Sequence, residues 1–362
     1  MPRRPATMLA SSLVLFALLC AGVFLRVPYS EMSPGPTVNT LGESHGEPVL
    51  NISGHKTYPT TGHLNMTTVR VTGADYDMNL LEAVYGWLAG DNIVVPHENL
   101  YPDGKTDKES TQENAEEFSQ SQESAKVAAL KQLGIPVSAR VVVSTVVKGS
   151  PAEGTLHAGD VIKEVDGSAV TQPGDVAKLV TRHKPGEPVE FTLVPAAAAA
   201  EAEKAGREAT ATTKVTITAG KAPDDGHAVV GIRAGTDHTF PFPIDIKLAD
   251  VGGPSAGLMF ALGIVDKLTP EDLTGGKFVA GTGTIDDTGK VGPIGGIQMK
   301  TIGARQAGAE YFLTPAENCA AAAAQVPDGL TLVKVSTIDD ATKALQKISK
   351  GDAAGLPRCT TS

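Results

Sequence analysis

The chain has 362 residues, of which 41% are hydrophobic and 20% charged, with a formal net charge of −10. Two or three globular domains fit that length, while the negative charge and the 4% aromatic content exclude a nucleic-acid binder, which needs a basic surface and stacking platforms. Three cysteines and eight scattered histidines, without HExxH or paired-Cys spacing, offer no metal-ligand set, and no cofactor motif stands out.

Arg3 and Arg4 precede the uncharged run Met8 to Leu25, "MLASSLVLFALLCAGVFL", which Arg26 closes. Such a run is just long enough to cross a hydrocarbon core. It lacks a small-x-small cleavage site, Cys20-Ala21-Gly22 being the nearest, and Leu19 is too bulky before a lipoprotein cysteine. Residues 1–28 therefore read as an uncleaved signal-anchor. The arginines at the start keep that end in the cytoplasm and put the rest outside the cell membrane.

Tyr29 to Asn39 is extended by Pro34 and Pro36, and "HLNMTTVRV" alternates as a strand. "DMNLLEAVYGWLAG", Asp77 to Gly90, reads as a short amphipathic helix whose Trp87 is expected in the core. From Asp103 the chain turns polar. Ser110-Thr111-Gln112-Glu113 matches a capping box, opening a helix with a solvated charged face that runs to about Leu133, where Gly134 and Pro136 stop it. Residues 29–130 form an N-terminal α/β region.

Residues 131–221 are punctuated differently. "ARVVVSTVVKGSPAEG" is a β-branched run ending in a turn; strands at Val161 to Val165 and "EPVEFTLV" flank the short helix "QPGDVAKLVTRH". Gly149-Ser150-Pro151-Ala152, Ala158-Gly159-Asp160-Val161-Ile162 and Val165-Asp166-Gly167 resemble a PDZ domain of the bacterial type. The resemblance implies an edge groove that takes an extended peptide as an added strand. The peptide-binding loop before the first strand is then placed at Leu133, Gly134 and Ile135. The Ala/Glu-rich insert 195–212 reads as a mobile loop or frayed helix without chemistry.

From 226 to 350 the character changes again. In "VGGPSAGLMFALG" Ser255 sits in a Gly/Pro turn before an apolar helix with no polar side. It is either a plain helix cap or a nucleophile held where the helix dipole stabilises negative charge. His227 and His238 precede it in expected loops, so no histidine base is at hand. Gly295-Gly296 opens the helix "IQMKTIGARQAG", and Lys300 falls near its first turn. By itself Lys300 is a surface lysine; buried at that positive end it would be neutral and able to act as a base.

"GGPSAG", "TGTI…GKVGPIGGIQMK" and "GAEYFLTPAEN" occur in this order and look like the proteolytic domain of Lon proteases, over roughly residues 228 to 350. The resemblance implies Ser255 as nucleophile, Lys300 as its partner in a Ser-Lys dyad, Thr282 as supporting hydroxyl, and ring-shaped homo-oligomers. Where Lon proteins carry K-D-G-P-S-A-G this chain has Val251-Gly252-Gly253-Pro254-Ser255, with Asp250 too early. It contains no GxxxxGK[ST] loop, so ATP is not an expected partner.

Anchor, PDZ and Lon-type modules together resemble the membrane-anchored, PDZ-containing Lon-like proteases of bacteria, the YlbL type. The fold class is α+β: a transmembrane helix, a PDZ-like β-rich domain and a Lon-type proteolytic domain, with 351–362 as a flexible tail. The function implied is ATP-independent serine endopeptidase action on unfolded or flexible extracytoplasmic segments. The rival is a PDZ-based peptide-binding scaffold with an inactive Lon-like domain. Cys319 and Cys359 either bridge outside the membrane or remain two thiols.

Overall fold

The computed structural model describes residues 3–204, 209–249 and 251–361. In chain order the main elements are α1 (Arg3–Phe24), β1 (Tyr29–Asn39), β2 (His63–Val71), α2 (Leu80–Leu88), β3 (Ile93–Pro96) and α3 (Asp107–Gln132). There follow β4 (Ser138–Val146), β5 (Val161–Val165), α4 (Pro173–Val180), β6 (Pro188–Val194), α5 (Ala196–Lys204), β7 (Thr213–Thr218) and β8 (Ile232–Thr239). The last part holds α6 (Gly257–Leu268), β9 (Phe278–Gly281), α7 (Ile297–Gln306), β10 (Tyr311–Pro315), α8 (Cys319–Ala323), β11 (Thr331–Val335) and α9 (Ile338–Ser349). These divide into two compact units, Met1–Gly134 with Ile244–Ser362, and Ile135–Pro243.

The first unit is built on a sheet of order β11-β10-β9-β2-β1-β3. Its centre is the parallel pairing of β9 with β2, which sets Gly281 opposite Met66. β1 runs antiparallel to β2, and their register slips between Pro34 and Thr37, where two prolines cannot donate to a ladder. α6 explains its own apolar sequence: Leu258, Met259, Phe260, Leu262 and Ile264 have no exposed surface. Each such side chain contributes about 1.5–3 kcal/mol by leaving water. α3 covers α6, Phe118 meeting Phe260 edge to face at 5.8 Å. Residues 29–130 are thus not a separate region; they supply half the sheet that residues 244–362 complete.

The helix α3 starts earlier than the sequence reading placed it. Thr106 and Glu109 form the capping box, side chain to backbone in both directions, and Ser110 to Glu113 lie inside the helix. Trp87 is 76% exposed, against the expectation of a core residue, and its helix α2 is capped by Asn79 and Glu82.

The second unit is an antiparallel sheet of order β7-β6-β5-β4-β8 around Val143, Ile162, Val165, Val189 and Phe191. It does not end near residue 221. β8, read from the sequence as part of the proteolytic domain, pairs along β4 from Ile232↔Val146 to Thr239↔Ser138, and carries His238 in a strand rather than a loop. The Ala-rich insert forms α5, whose Ala199 packs in a cluster with Val142, Val161 and Val194. Residues 205–208 of that insert, and Asp250, lie outside the described residues.

The tail is fixed rather than flexible over its middle: Lys334 N–H donates to the Pro357 carbonyl, and Arg358 bridges to Val333. A disulfide joins Cys319 to Cys359, 40 residues apart. A closed loop of that size stabilises by about 4 kcal/mol through the entropy of the unfolded chain. Urea titration should therefore show the Cys319→Ser, Cys359→Ser protein about 2–4 kcal/mol less stable than the oxidised parent, and the parent should match it in reductant.

Candidate active site and peptide groove

Ser255 lies at the end of a turn that two hydrogen bonds with a distant helix hold in place. Gly253 adopts φ +80°, a conformation suited to glycine, and donates its N–H to the Asn114 carbonyl at 2.8 Å. Ser121 Oγ donates to the Pro254 carbonyl at 2.9 Å. Both partners lie on α3. The helix α6 begins after Ala256, which is the N-cap. Ser255 is therefore not a cap: it stands one residue outside the helix, and its side chain faces Lys300. The Ser255 and Ala256 N–H groups have no acceptor among the described residues.

Lys300 sits in the first turn of α7, behind the N-cap Gly296, with 4% exposure. Its Nζ lies 2.7 Å from Ser255 Oγ, 3.2 Å from Thr282 Oγ1 and 3.0 Å from the Thr67 carbonyl on β2. Burial disfavours the ammonium and pushes the pKa down to about 8. Thr282, fully buried, donates its own hydroxyl to the Ser255 carbonyl at 3.0 Å.

These contacts close as a hydrogen-bond account. A neutral amine has two N–H donors and one lone pair. Thr282 Oγ1 has spent its proton on Ser255 O, so it accepts from Nζ; the Thr67 carbonyl can only accept. The two donors are thereby used, and the lone pair is left for the Ser255 hydroxyl proton. The three residues implied by the sequence, Ser255, Thr282 and Lys300, are brought together. Thr67, Asn114 and Ser121 were not foreseen: Thr67 acts through a backbone atom, and nothing in the side chains of Asn114 and Ser121 announces a buttress.

In the second unit, a groove of about 500 Å³ runs between α4 and the segment leading into β8. Ala177, Val180, Val230, Gly231, Ile232 and Arg233 are among its lining residues. β8 is the last strand of its sheet, so its outer edge carries unpaired backbone groups among the described strands. Gly231, at φ +79°, approaches Ser150 so closely that a Cβ would lie 2.1 Å from the Ser150 Cβ. The expected loop of Leu133, Gly134 and Ile135 does not line this groove. Leu133 caps α3 and Gly134 closes the first unit, while Ile135 opens the second. The same apolar-Gly-apolar pattern before a strand recurs at Val230-Gly231-Ile232, and that signal marks the groove.

Residues 249–347 match the model of the Lon protease (S16) C-terminal proteolytic domain. The first unit carries a Lon-type proteolytic domain. Residues 114–203 match the PDZ domain model, overlapping the second unit from Ile135 onward. Similar relatives include the Lon protease of Azospirillum brasilense, 40% identical over 95 residues, covering 25% of this chain and 11% of that protein. Lon protease 2 of Bacillus subtilis is 39% identical over 92 residues, 25% of this chain and 16% of that protein. The chain thus spans only 11% to 16% of the length of these relatives. Among solved structures, the PDZ domain of an SdrC-like protein from Listeria innocua is 25% identical, with 28% of this chain and 98% of that chain covered and a TM-score of 0.21. Its counterpart from Listeria monocytogenes is 23% identical, with 26% and 86% covered and a TM-score of 0.21.

In the Lon-type domain, Thr282→Val removes an acceptor of the Lys300 amine. Labelling of Ser255 by a fluorophosphonate should slow about tenfold, the rate equivalent of a hydrogen bond worth about 1.4 kcal/mol, whereas Thr282→Ser should keep most of it. In the PDZ unit, Ala177→Asp puts a carboxylate on the exposed groove side of α4. Calorimetry with an extended peptide ending in apolar residues should give a Kd raised about tenfold or more; unchanged affinity would place peptide binding elsewhere.

Proposed function

We propose that this protein is an ATP-independent, membrane-anchored serine endopeptidase that cuts unfolded or flexible segments outside the cytoplasmic membrane, with the PDZ groove holding part of the substrate. The observation that carries the reading is the buried amine of Lys300 at 2.7 Å from Ser255 Oγ. An inactive scaffold has no use for a desolvated lysine aimed at a serine.

In the reaction, Ser255 Oγ attacks the scissile carbonyl as its proton passes to the Lys300 lone pair. The oxyanion forms next to the N–H groups of Ser255 and Ala256 at the positive end of α6; Pro254 has no N–H to add. The Lys300 ammonium, now with three donors against Ser255, Thr282 and Thr67, protonates the leaving amine. Water then attacks the acyl-enzyme, with Lys300 again as base. The chain contains no Walker loop, so the substrate must arrive unfolded.

Three observations support the location. α1 includes an apolar stretch, Thr7–Phe24, long enough to span a bilayer and only 6% buried within the protein. The Cys319–Cys359 bridge suits an oxidising compartment. Arg3 and Arg4 before the span, against Arg26 after it, orient the start of the chain inward.

The base works only when neutral, and its pKa is lowered to about 8. Cleavage of an unfolded model protein should therefore rise with pH through about 8 and then level off. Ser255→Ala should abolish it with the fold intact, and Lys300→Arg should be inactive because guanidinium stays protonated. Adding ATP and magnesium should leave the rate unchanged. Activity in Lys300→Arg, or a flat profile from pH 6 to about 9, would overturn the mechanism.

A further inference from the structure

In a soluble helix the apolar stripe faces the core. α2 is inverted. Leu81, Val84, Tyr85 and Leu88 recur at helical spacing and form one stripe, yet Val84 is 42% exposed and Tyr85 and Leu88 are each 74% exposed. Trp87 flanks them at 76%. The small residues Ala83 and Gly86 make the buried side instead, and Gly86 comes close enough for a Cβ to meet Val94 and Glu31.

The position of this helix is fixed by the end of α1. Leu80 N–H donates to the Leu25 carbonyl at 2.9 Å, and Val27 N–H donates to the Met78 carbonyl at 2.9 Å. Arg26 Nη1 donates to the Asp77 carbonyl at 2.9 Å. One turn further in, Gly22 packs on Leu81 so closely that a Cβ would lie 3.0 Å from Leu81 Cγ. Gly22 belongs to the apolar stretch Thr7–Phe24. α2 therefore starts where the apolar span ends, and Leu81 lies at the depth of its last turn.

The geometry points to α2 as an interfacial helix, with Val84, Tyr85, Trp87 and Leu88 seated in the outer headgroup layer of the bilayer that holds α1. This rests on the anchor reading above. Tyr and Trp are the side chains suited to that layer, with an apolar body and a polar tip. The bilayer is the occupant the structure favours over a protein partner, because the exposed stripe is continuous through Leu81 with the surface of the membrane span. Seated at both α1 and α2, the first unit is held upright rather than hinged on residues 25–28. β1 then leaves the end of the span at about 3.3 Å per residue, so the Thr37–Thr67 pair, and Lys300 on the Thr67 carbonyl, lie at most about 25 Å from the interface. Segments emerging from the membrane beside the protein are the substrates within reach.

Trp87 is the sole tryptophan of the chain, so the full-length protein carries its own reporter. The protein is reconstituted into phosphatidylcholine–phosphatidylglycerol vesicles and floated on a density gradient. Its emission is then read with iodide as the aqueous quencher and with lipids brominated at shallow or deep acyl positions. The expected result is flotation, a blue-shifted emission shielded from iodide, and stronger quenching by shallow than by deep bromines. The Tyr85→Ser, Leu88→Asp variant, altered only at exposed positions, should still float through α1 but lose bromine quenching and regain iodide quenching. Flotation with an iodide-accessible Trp87 that bromolipids do not quench overturns the proposal and leaves the anchor standing. Shielding without bromolipid quenching, growing with protein density in the membrane, also overturns it, in favour of a contact between copies. Failure to float overturns the anchor and this proposal together.

Discussion

The structure turns on keeping one lysine out of water. An amine in contact with solvent would be protonated near neutrality, and the base role proposed for Lys300 depends on its being only 4% exposed. Burial alone, however, would strand its N–H groups, and a buried unsatisfied donor is costly. The Thr67 carbonyl and the Thr282 hydroxyl meet that need. One of them comes from a strand 233 positions away in sequence. The Lon-type match at 249–347 contains the serine, the threonine and the lysine, but not Thr67, nor the Asn114 and Ser121 contacts that hold the Ser255 turn. The N-terminal region is accordingly part of the unit that builds the candidate site: without β2 the amine loses a partner, and without α3 the turn loses both of its braces.

This division also explains what could be read in the sequence. Ser255 was legible as a candidate from its Gly/Pro turn before an apolar helix, whereas Lys300 and Thr282 were legible only through the resemblance of their motifs to the Lon proteolytic domain. β2, α7 and β5 were legible because alternation, a Gly-Gly start and an Asp-Gly turn are local signals. The start of α3 was misplaced because two capping boxes compete within a few residues. Thr106 won, placing Asp107 and Glu109 in the first turn, where acidic side chains favour the dipole. Trp87 was misread because an amphipathic pattern gives the stripe but not which side is the core. A groove was expected beside Leu133, Gly134 and Ile135; the groove of the second unit lies instead along α4 and β8, the last strand of its sheet, whose place in the sheet no local sequence signal gives.

The insertion of the second unit has a simple geometry of its own. β4 leaves Ile135 and β8 returns to Pro243, and the two pair antiparallel with Ser138 opposite Thr239. The ends of the unit are therefore neighbours, which is the condition for inserting a domain without stretching its host.

Helix termini show where stability has been set aside for chemistry. α2, α3 and α9 each begin with a reciprocal capping box, at Asn79 and Glu82, Thr106 and Glu109, and Thr337 and Asp340. The two helices that build the dyad do not. α6 begins at Ala256 and α7 at Gly296, neither with a side-chain cap. Alanine at an N-cap in place of Ser, Thr or Asp costs about 1 kcal/mol. At α6 a capping side chain would shield the positive helix end at which the proposed oxyanion would form. At α7 it would place a polar side chain, or a carboxylate, next to the lysine that must stay neutral. The uncapped starts of α6 and α7 lie on either side of the Ser255–Lys300 contact, though α8, away from it, also starts without a side-chain cap.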